Sequence, residues 1–272
     1  MMSVHIREPR GGFRKGLTWI TRLDETDHNT GIGMGVLKLK SGESYNWKPD
    51  NETALLLMQG TIRVKTNGIS TAGSRDSLFN EEPTCIHISA NSELEIDAER
   101  ETELTVYQTE NKAPFDQRHY IPGSIDVADR GKEQAGGTCW RIVRTILGVD
   151  GHAGHVRDPD SQLVIGETIT LPGRWSSYPP HHHSQPEVYH YRFNKPQGFG
   201  HAEHGEDVYK VRNQDTLKIL SGEDHAQVAA PGYAMYYSWV IRHLPDNPYT
   251  EPEFTEEHTW MMDGTEKIWH PS

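Results

Sequence analysis

Helical periodicity is nearly absent from this chain, and so are long apolar runs, cysteines and an excess of positive charge. No stretch approaches the roughly 20 consecutive apolar residues that a membrane-spanning helix requires, so no membrane partner is expected. Lysine and arginine total 27 against 39 aspartates and glutamates, a formal charge of -12. That balance disfavours non-specific binding to nucleic acid or anionic lipid, and an anionic substrate would need a local basic pocket. The cysteines, Cys85 and Cys139, lie in separate halves within hydrophobic contexts. They read as buried thiols in a reducing compartment rather than as a disulfide framework. The N-terminal residues Ser3-Val4-His5-Ile6-Arg7-Glu8 carry charge where a secretory signal would need its apolar run, so a cytoplasmic location is expected.

What the chain has in quantity is glycine (25), proline (16) and histidine (16). Frequent turn residues between short β-branched and aromatic runs describe an all-β protein. In the first half such runs fall at residues 31–40, 54–58, 61–65, 85–88, 94–96 and 103–108, with Gln59-Gly60 and Asn67-Gly68 read as turns. Residues 111–137 are rich in Pro, Asp, Gly and Arg and have no sustained period. The second half repeats the rhythm at 139–146, 163–171, 188–193, 207–212, 216–219, 226–229 and 234–241. The length and the repeated pattern predict two β-barrel modules, residues 1–115 and 138–272, joined by a connection at 116–137.

One segment concentrates metal-binding chemistry. Pro179-Pro180-His181-His182-His183-Ser184-Gln185-Pro186-Glu187 runs into the strand-like Val188-Tyr189-His190-Tyr191-Arg192-Phe193. Alternate side chains on a strand share a face. Parity therefore predicts that His181, His183, Glu187, Tyr189 and Tyr191 point into the barrel while His182, His190 and Arg192 point out. A fourth donor, His225, follows the turn Ser221-Gly222-Glu223-Asp224. Three imidazoles and a carboxylate suit a divalent metal, Zn first, with Mn, Fe, Co or Ni also compatible, and leave a position for water or substrate. A solvated histidine loop is the plainer reading of the triplet, but the spacing of Glu187 and His225 argues against it. His152, His155, His201 and His204 have glycine and acidic neighbours and read as exposed loop residues. Tyr189 and Tyr191 suit either core packing or a substrate hydroxyl. In the first half Tyr45 and Trp47 stand where the paired histidines would, with Glu52 at a plausible carboxylate position, so no metal is expected there.

The pattern of paired histidines, glutamate and Gly222-Glu223-Asp224-His225 is similar to the signature motifs of the cupin superfamily. Gly173-Arg174-Trp175, the histidine segment, Pro196-Gln197-Gly198-Phe199 and Ala230-Pro231-Gly232-Tyr233 resemble the 5-deoxyglucuronate isomerase family of inositol catabolism. Two departures stand out: the interval from His183 to Glu187 is one residue shorter than in the related 4-deoxy-5-ketouronate isomerases, and Ser221 replaces a proline. Neither removes a donor. The resemblance implies a bicupin of two jelly-roll barrels, a homodimer, and conversion of a sugar acid, 5-deoxy-D-glucuronate, to 5-dehydro-2-deoxy-D-gluconate. For that chemistry Tyr189 or Tyr191 is the candidate to orient a hydroxyl or relay the proton, and Arg174, Arg141 and Arg144, which flank the expected barrel mouth or its first strand, are candidates for the substrate carboxylate. A 4-deoxy-5-ketouronate isomerase, a cupin dioxygenase or decarboxylase would use the same donors. A sugar-binding cupin without catalysis would carry a helix-turn-helix segment, for which no helical pattern is visible.

Overall fold

Glu52–Thr66 is the spine of the N-terminal half, a 15-residue strand that serves two walls of one barrel. Residues 52–59 pair with Cys85–Ile88 and Thr102–Thr109, and residues 60–66 pair with Ile69–Arg75 and Leu94–Ala98. The bend falls at Gly60, with φ 121°, where an added Cβ would lie 2.7 Å from the Thr102 Cα. Gln59-Gly60, read from sequence as a turn between two strands, is thus a corner inside one strand, because glycine alone fits that close crossing. The structure is a computed structural model, and it describes residues 3–149, 158–220, 222–263 and 267–271. His152, His155 and Ser221 lie outside the described residues.

The C-terminal half is a sandwich of two sheets. A seven-stranded sheet runs, in spatial order, His5–Ile6, Thr216–Ile219, Glu187–Phe193, Met235–Arg242, Leu163–Thr170, Arg141–Leu147 and Asp126–Arg130. A five-stranded sheet, Asp207–Arg212, Phe199–His204, His225–Ala229, Trp175–His182 and Glu253–Phe254, closes the other side. The halves exchange chain at their borders. His5–Ile6 pairs with Thr216–Ile219 across the molecule, and the connecting region contributes Arg118–Tyr120 to the N-terminal barrel and Asp126–Arg130 to the C-terminal sheet. This is the cupin-type arrangement of two β-barrels in one chain. No helix among the described residues is long and apolar enough to cross a membrane.

Strand parity distributes side chains between two interiors and one interface. Ile32, Met34, Ala54, Leu56 and Tyr107 from the first barrel meet Leu163, Ile165, Val188, Tyr236 and Val240 from the second in a common core. This accounts for His190 and Arg192, which were expected to face outward. They do point away from the second barrel's interior, but into this interface: His190 is fully buried beside Thr216, and Arg192 donates to Glu103 at 2.6 Å and sits over the Phe13 ring. The first barrel's own interior is filled by Leu37, Leu55, Leu57, Ile62, Val64, Ile86 and Leu104. Glu52 shares its face with Ala54 and Leu56 and so is one residue out of phase with that interior. Its carboxylate accepts hydrogen bonds from His87, Asn111, Ser161 and the Gln162 and Leu163 amides, tying the modules together. Both cysteines are unpaired and buried.

Candidate metal centre and its pocket

His183, Glu187 and His225 offer donor atoms that all lie within 4.8 Å of one another, and all three are buried. They arrive from different directions. Glu187 opens the Glu187–Phe193 strand of the larger sheet, and His225 opens the His225–Ala229 strand of the smaller one. His183 sits in the link after Trp175–His182, and His181 lies within that strand, paired in register with His225. The shared face expected from odd numbering along one strand is therefore replaced by convergence across the barrel. His182 turns to the opposite side, 2.7 Å from Asp224.

The geometry leaves lone pairs where a cation would use them. Glu187 Oε2 lies 3.3 Å from His183 Nε2 and 3.5 Å from His225 Nε2. Glu187 Oε2 and His225 Nε2 have no hydrogen-bond partner, nor has the buried Nδ1 of His181. Meanwhile His183 Nδ1 donates to the Gln185 carbonyl at 2.7 Å and His225 Nδ1 to the Glu223 carbonyl at 3.0 Å. Those bonds fix the tautomer with the proton on Nδ1 and leave Nε2 bare, the outer-shell arrangement of metal-binding imidazoles. Orphaned polar atoms are costly in a protein interior, and a divalent cation held by His183, Glu187 and His225 would satisfy Glu187 Oε2 and His225 Nε2 together. His181, expected as a ligand, stands beside the triplet with its ring centroid 4.4 Å from that of His225, but its donor atoms are not part of the group that converges within 4.8 Å. These residues fit a metal ion.

Burial sets the charge state of the cluster. It pushes His181 down to about 3 and His225 well below the ordinary imidazole range, in both cases reinforced by neighbouring histidines. Burial raises the Glu187 carboxyl, and His183 and Tyr189 offset this in part. The sign for stability follows. An unfolded histidine binds a proton below about 6.5, whereas folded His181 does so only near 3. The metal-free fold therefore keeps its full contribution above about pH 6.5 and loses it as pH falls toward 3, by up to about 1.4 kcal/mol per pH unit for each such histidine. Glu187 acts in the opposite direction, but one carboxyl opposes two imidazoles. Chelated protein titrated by thermal denaturation should lose stability less steeply below about pH 6.5 once His181→Gln is introduced; an identical slope would contradict this assignment.

His181, His183 and Glu187 line one side of a cavity of about 280 Å³ whose other walls include Arg130, Arg141, Tyr189, Tyr237, Trp239 and Tyr249, with His225 buried behind them. Tyr189 lies at the heart of it, its ring centroid 6.0 Å from His225 and 5.0 Å from Tyr237. Tyr191 lies outside the lining, its hydroxyl donating to Gln227 Oε1 at 2.7 Å. The arginines separate cleanly. Arg141 lines the cavity, whereas Arg144, three residues on, takes the opposite face and meets Glu167 at 3.2 Å in the interface between modules. Arg174 sits in the turn before Trp175 and does not line the cavity. His201 and His204 belong to a strand, Phe199–His204, rather than a loop, and His204 Nε2 accepts the Leu220 amide.

The cavity also draws on residues with no signal in the sequence reading. Tyr237 and Trp239 come from a strand whose two faces are both largely buried, so no polar alternation marks which face looks inward. Tyr249 and Phe254 come from the C-terminal segment, where Glu253–Phe254 pairs with His181 and His182. Tyr249 and Phe254 stack edge-on against His183 and His181, at 5.0 and 5.8 Å.

Known proteins resemble both the sequence and this architecture. The family model described as KduI/IolB matches residues 5–261. The 5-deoxy-glucuronate isomerase of Geobacillus kaustophilus is 26% identical over 261 residues, covering 86% of each chain. That of Bacillus subtilis is 27% identical over 292 residues, covering 96% of this chain and all (100%) of the relative. The crystal structure of an IolB-like protein from Salmonella typhimurium superposes with a TM-score of 0.78 at 26% identity, covering 92% of this chain and 97% of that one. A cupin 2 conserved barrel protein from Leptotrichia buccalis, TM-score 0.50 at 12% identity over 88% of this chain and 95% of its own, shares the fold. With a family match that spans nearly the whole molecule, the chain belongs to the KduI/IolB family.

Proposed function

We propose that this isomerase is a divalent-metal-dependent aldose-ketose isomerase, converting 5-deoxy-D-glucuronate to 5-dehydro-2-deoxy-D-gluconate. The observation that carries the metal dependence is the buried donor set His183, Glu187 and His225, whose donor atoms converge while Glu187 Oε2 and His225 Nε2 have no hydrogen-bond partner; we take His181 as the fourth donor. The substrate follows the names of the curated relatives. Imidazole and carboxylate donors suit zinc, with manganese, iron, cobalt or nickel also compatible. When bound, such an ion supplies Lewis-acid polarisation of a sugar carbonyl and its adjacent hydroxyl.

The remaining work falls to the chain. Aldose-ketose interconversion moves a proton between neighbouring carbons, and Tyr189 is placed to hold or relay it. Burial lifts the Tyr189 phenol well above its ordinary range, with Glu187 adding to the effect, so it stays protonated and acts as a donor near the cluster. Tyr237, whose hydroxyl lies 3.0 Å from Ser176 Oγ and 3.1 Å from Ser177 Oγ, holds the opposite wall and orients substrate hydroxyls. Tyr191 braces the site through Gln227. Trp239 and Tyr249 narrow the cavity and keep bulk water from the reacting carbons.

The test combines metal analysis by mass spectrometry with proton NMR of 5-deoxyglucuronate. Purified protein should carry about one metal per chain and form the ketose. Chelation should lower the rate by at least about 100-fold, and metal addition should restore it. Oxygen uptake or carbon dioxide release in place of ketose would move the protein to oxidative or decarboxylating cupin chemistry. Ketose formation that is indifferent to chelation would remove the metal from the reaction.

A further inference from the structure

Arg141 and Arg130 occupy directly opposed positions on neighbouring strands, Arg130 on Asp126–Arg130 and Arg141 on Arg141–Leu147. Both line the cavity that His183 and Glu187 also line. Like charges placed opposite each other in an antiparallel pair repel, and Arg130 is one of the charges felt by Arg141. Arg130 is exposed at the rim, while Arg141 is half-buried deeper in the wall. The Arg141 guanidinium donates to the Cys139 carbonyl at 3.0 Å, and among the described residues no carboxylate lies within ion-pair distance of it. A half-buried guanidinium that lines a cavity and has no carboxylate partner among the described residues is free to receive a carboxylate there.

The backbone makes room for this arrangement. Gly131, φ 72°, lies beside the guanidinium, and a Cβ there would come within 2.6 Å of Arg141 Nη1 and 2.2 Å of the Cys139 carbonyl oxygen. Any other residue would displace the Arg141 head group. Arg141 shares the cavity lining with His181, His183 and Glu187. The guanidinium and the His183 and Glu187 donors therefore bound the same small space.

We propose that Arg141, seated against Gly131 and assisted at the rim by Arg130, is the carboxylate receptor of this cavity and determines its preference for sugar acids over neutral sugars. This rests on the reading of the site as a sugar-acid isomerase and names the residue that makes the acid distinguishable. A guanidinium engages both oxygens of a carboxylate at once, which a lysine cannot do. Arg141→Lys should therefore retain only part of the preference, and Arg141→Met none of it.

Two measurements on the metal-loaded full chain separate this claim from the isomerase reading. In thermal-shift titrations, D-glucuronate should stabilise the wild type at concentrations about tenfold or more below those needed for D-glucose. Arg141→Met should respond to the two sugars alike while keeping its metal, and Arg141→Lys should fall between. In kinetics with 5-deoxyglucuronate, Arg141→Met should raise KM by about 10- to 100-fold, with a smaller change in kcat. A wild type that does not prefer glucuronate, or an Arg141→Met variant that keeps the preference, overturns the assignment. Loss of the preference in a protein that fails to turn over 5-deoxyglucuronate leaves the receptor standing and removes the isomerase reading. Turnover with an unchanged KM in Arg141→Met removes the receptor and leaves the isomerase.

Discussion

Arg75→Met should cost the protein about 3–5 kcal/mol of folding stability, a large part of the total of about 5–15 kcal/mol typical of a folded domain. Arg75 and Glu167 are both fully buried between the two barrels. The guanidinium donates to the two carboxylate oxygens at 2.6 and 2.9 Å and to the Leu57 and Glu81 carbonyls at 3.0 Å. Tyr236 donates to Glu167 at 2.7 Å and Arg144 at 3.2 Å. Burial opposes ionisation of Glu167, yet Arg75 and then Arg144 hold its carboxyl below the usual range. Methionine fills the space of arginine but strands a buried carboxylate with too little compensation. Urea denaturation should show the loss, and adding Glu167→Gln should return part of it, because the stranded charge then disappears. A loss below about 1 kcal/mol would mean that water reaches this interface and screens it.

The same network shows what the sequence could and could not reveal. Arg141 and Arg144 are three apart on one strand, so parity alone forces them to opposite faces. Which face looks into the cavity was not legible, because Arg141–Leu147 is sandwiched between a barrel interior and a module interface, and both demand apolar neighbours. His190 and Arg192 point out of the second barrel as parity predicts, yet the first is buried and the second half-buried, because the outer face of one barrel is the inner face of the pair. Histidine and glutamate in a β-rich context marked the donor cluster, since that chemistry rarely clusters without purpose. The route to it was different from parity along one strand, because the turn at 184–186 carries the chain from one sheet to the other between His183 and Glu187. Glu52 looked equivalent to Glu187 by position within its module, but a one-residue offset rotates it into the interface. Tyr249 and Phe254 had no pattern to find, since they lie in a segment with almost no regular structure.

The two barrels thus divide labour through the filling of their interiors. Among the described residues thirteen buried apolar side chains pack the first, and four of its polar side chains, Glu52, Arg75, Glu103 and Tyr107, reach across to the second. The second barrel keeps a cavity and places polar, unpartnered atoms around it. A cavity and orphaned donors both subtract from stability. The first barrel and the polar interface supply the rigidity that holds those donors in place, which is the condition for a preorganised site.

Glu187→Gln should separate these opposing demands, lowering isomerase activity by at least about 1000-fold while leaving the metal-free protein as stable as the wild type or more so. The carboxylate is almost completely buried, with one oxygen lacking a hydrogen-bond partner, and burial works against its charge. An amide of the same shape carries no net charge to desolvate, so the chelated variant escapes that penalty. With metal present the order should reverse. Wild type gains stability in proportion to the logarithm of metal concentration over Kd, whereas glutamine is a weaker donor and cannot neutralise a divalent cation. Thermal denaturation of both proteins, with and without added zinc, should therefore give crossing curves: the variant equal or higher when chelated, and lower when loaded. A variant that denatures earlier in both conditions would show that Glu187 serves the fold rather than a metal, and one that keeps both metal and activity would remove the carboxylate from the donor set.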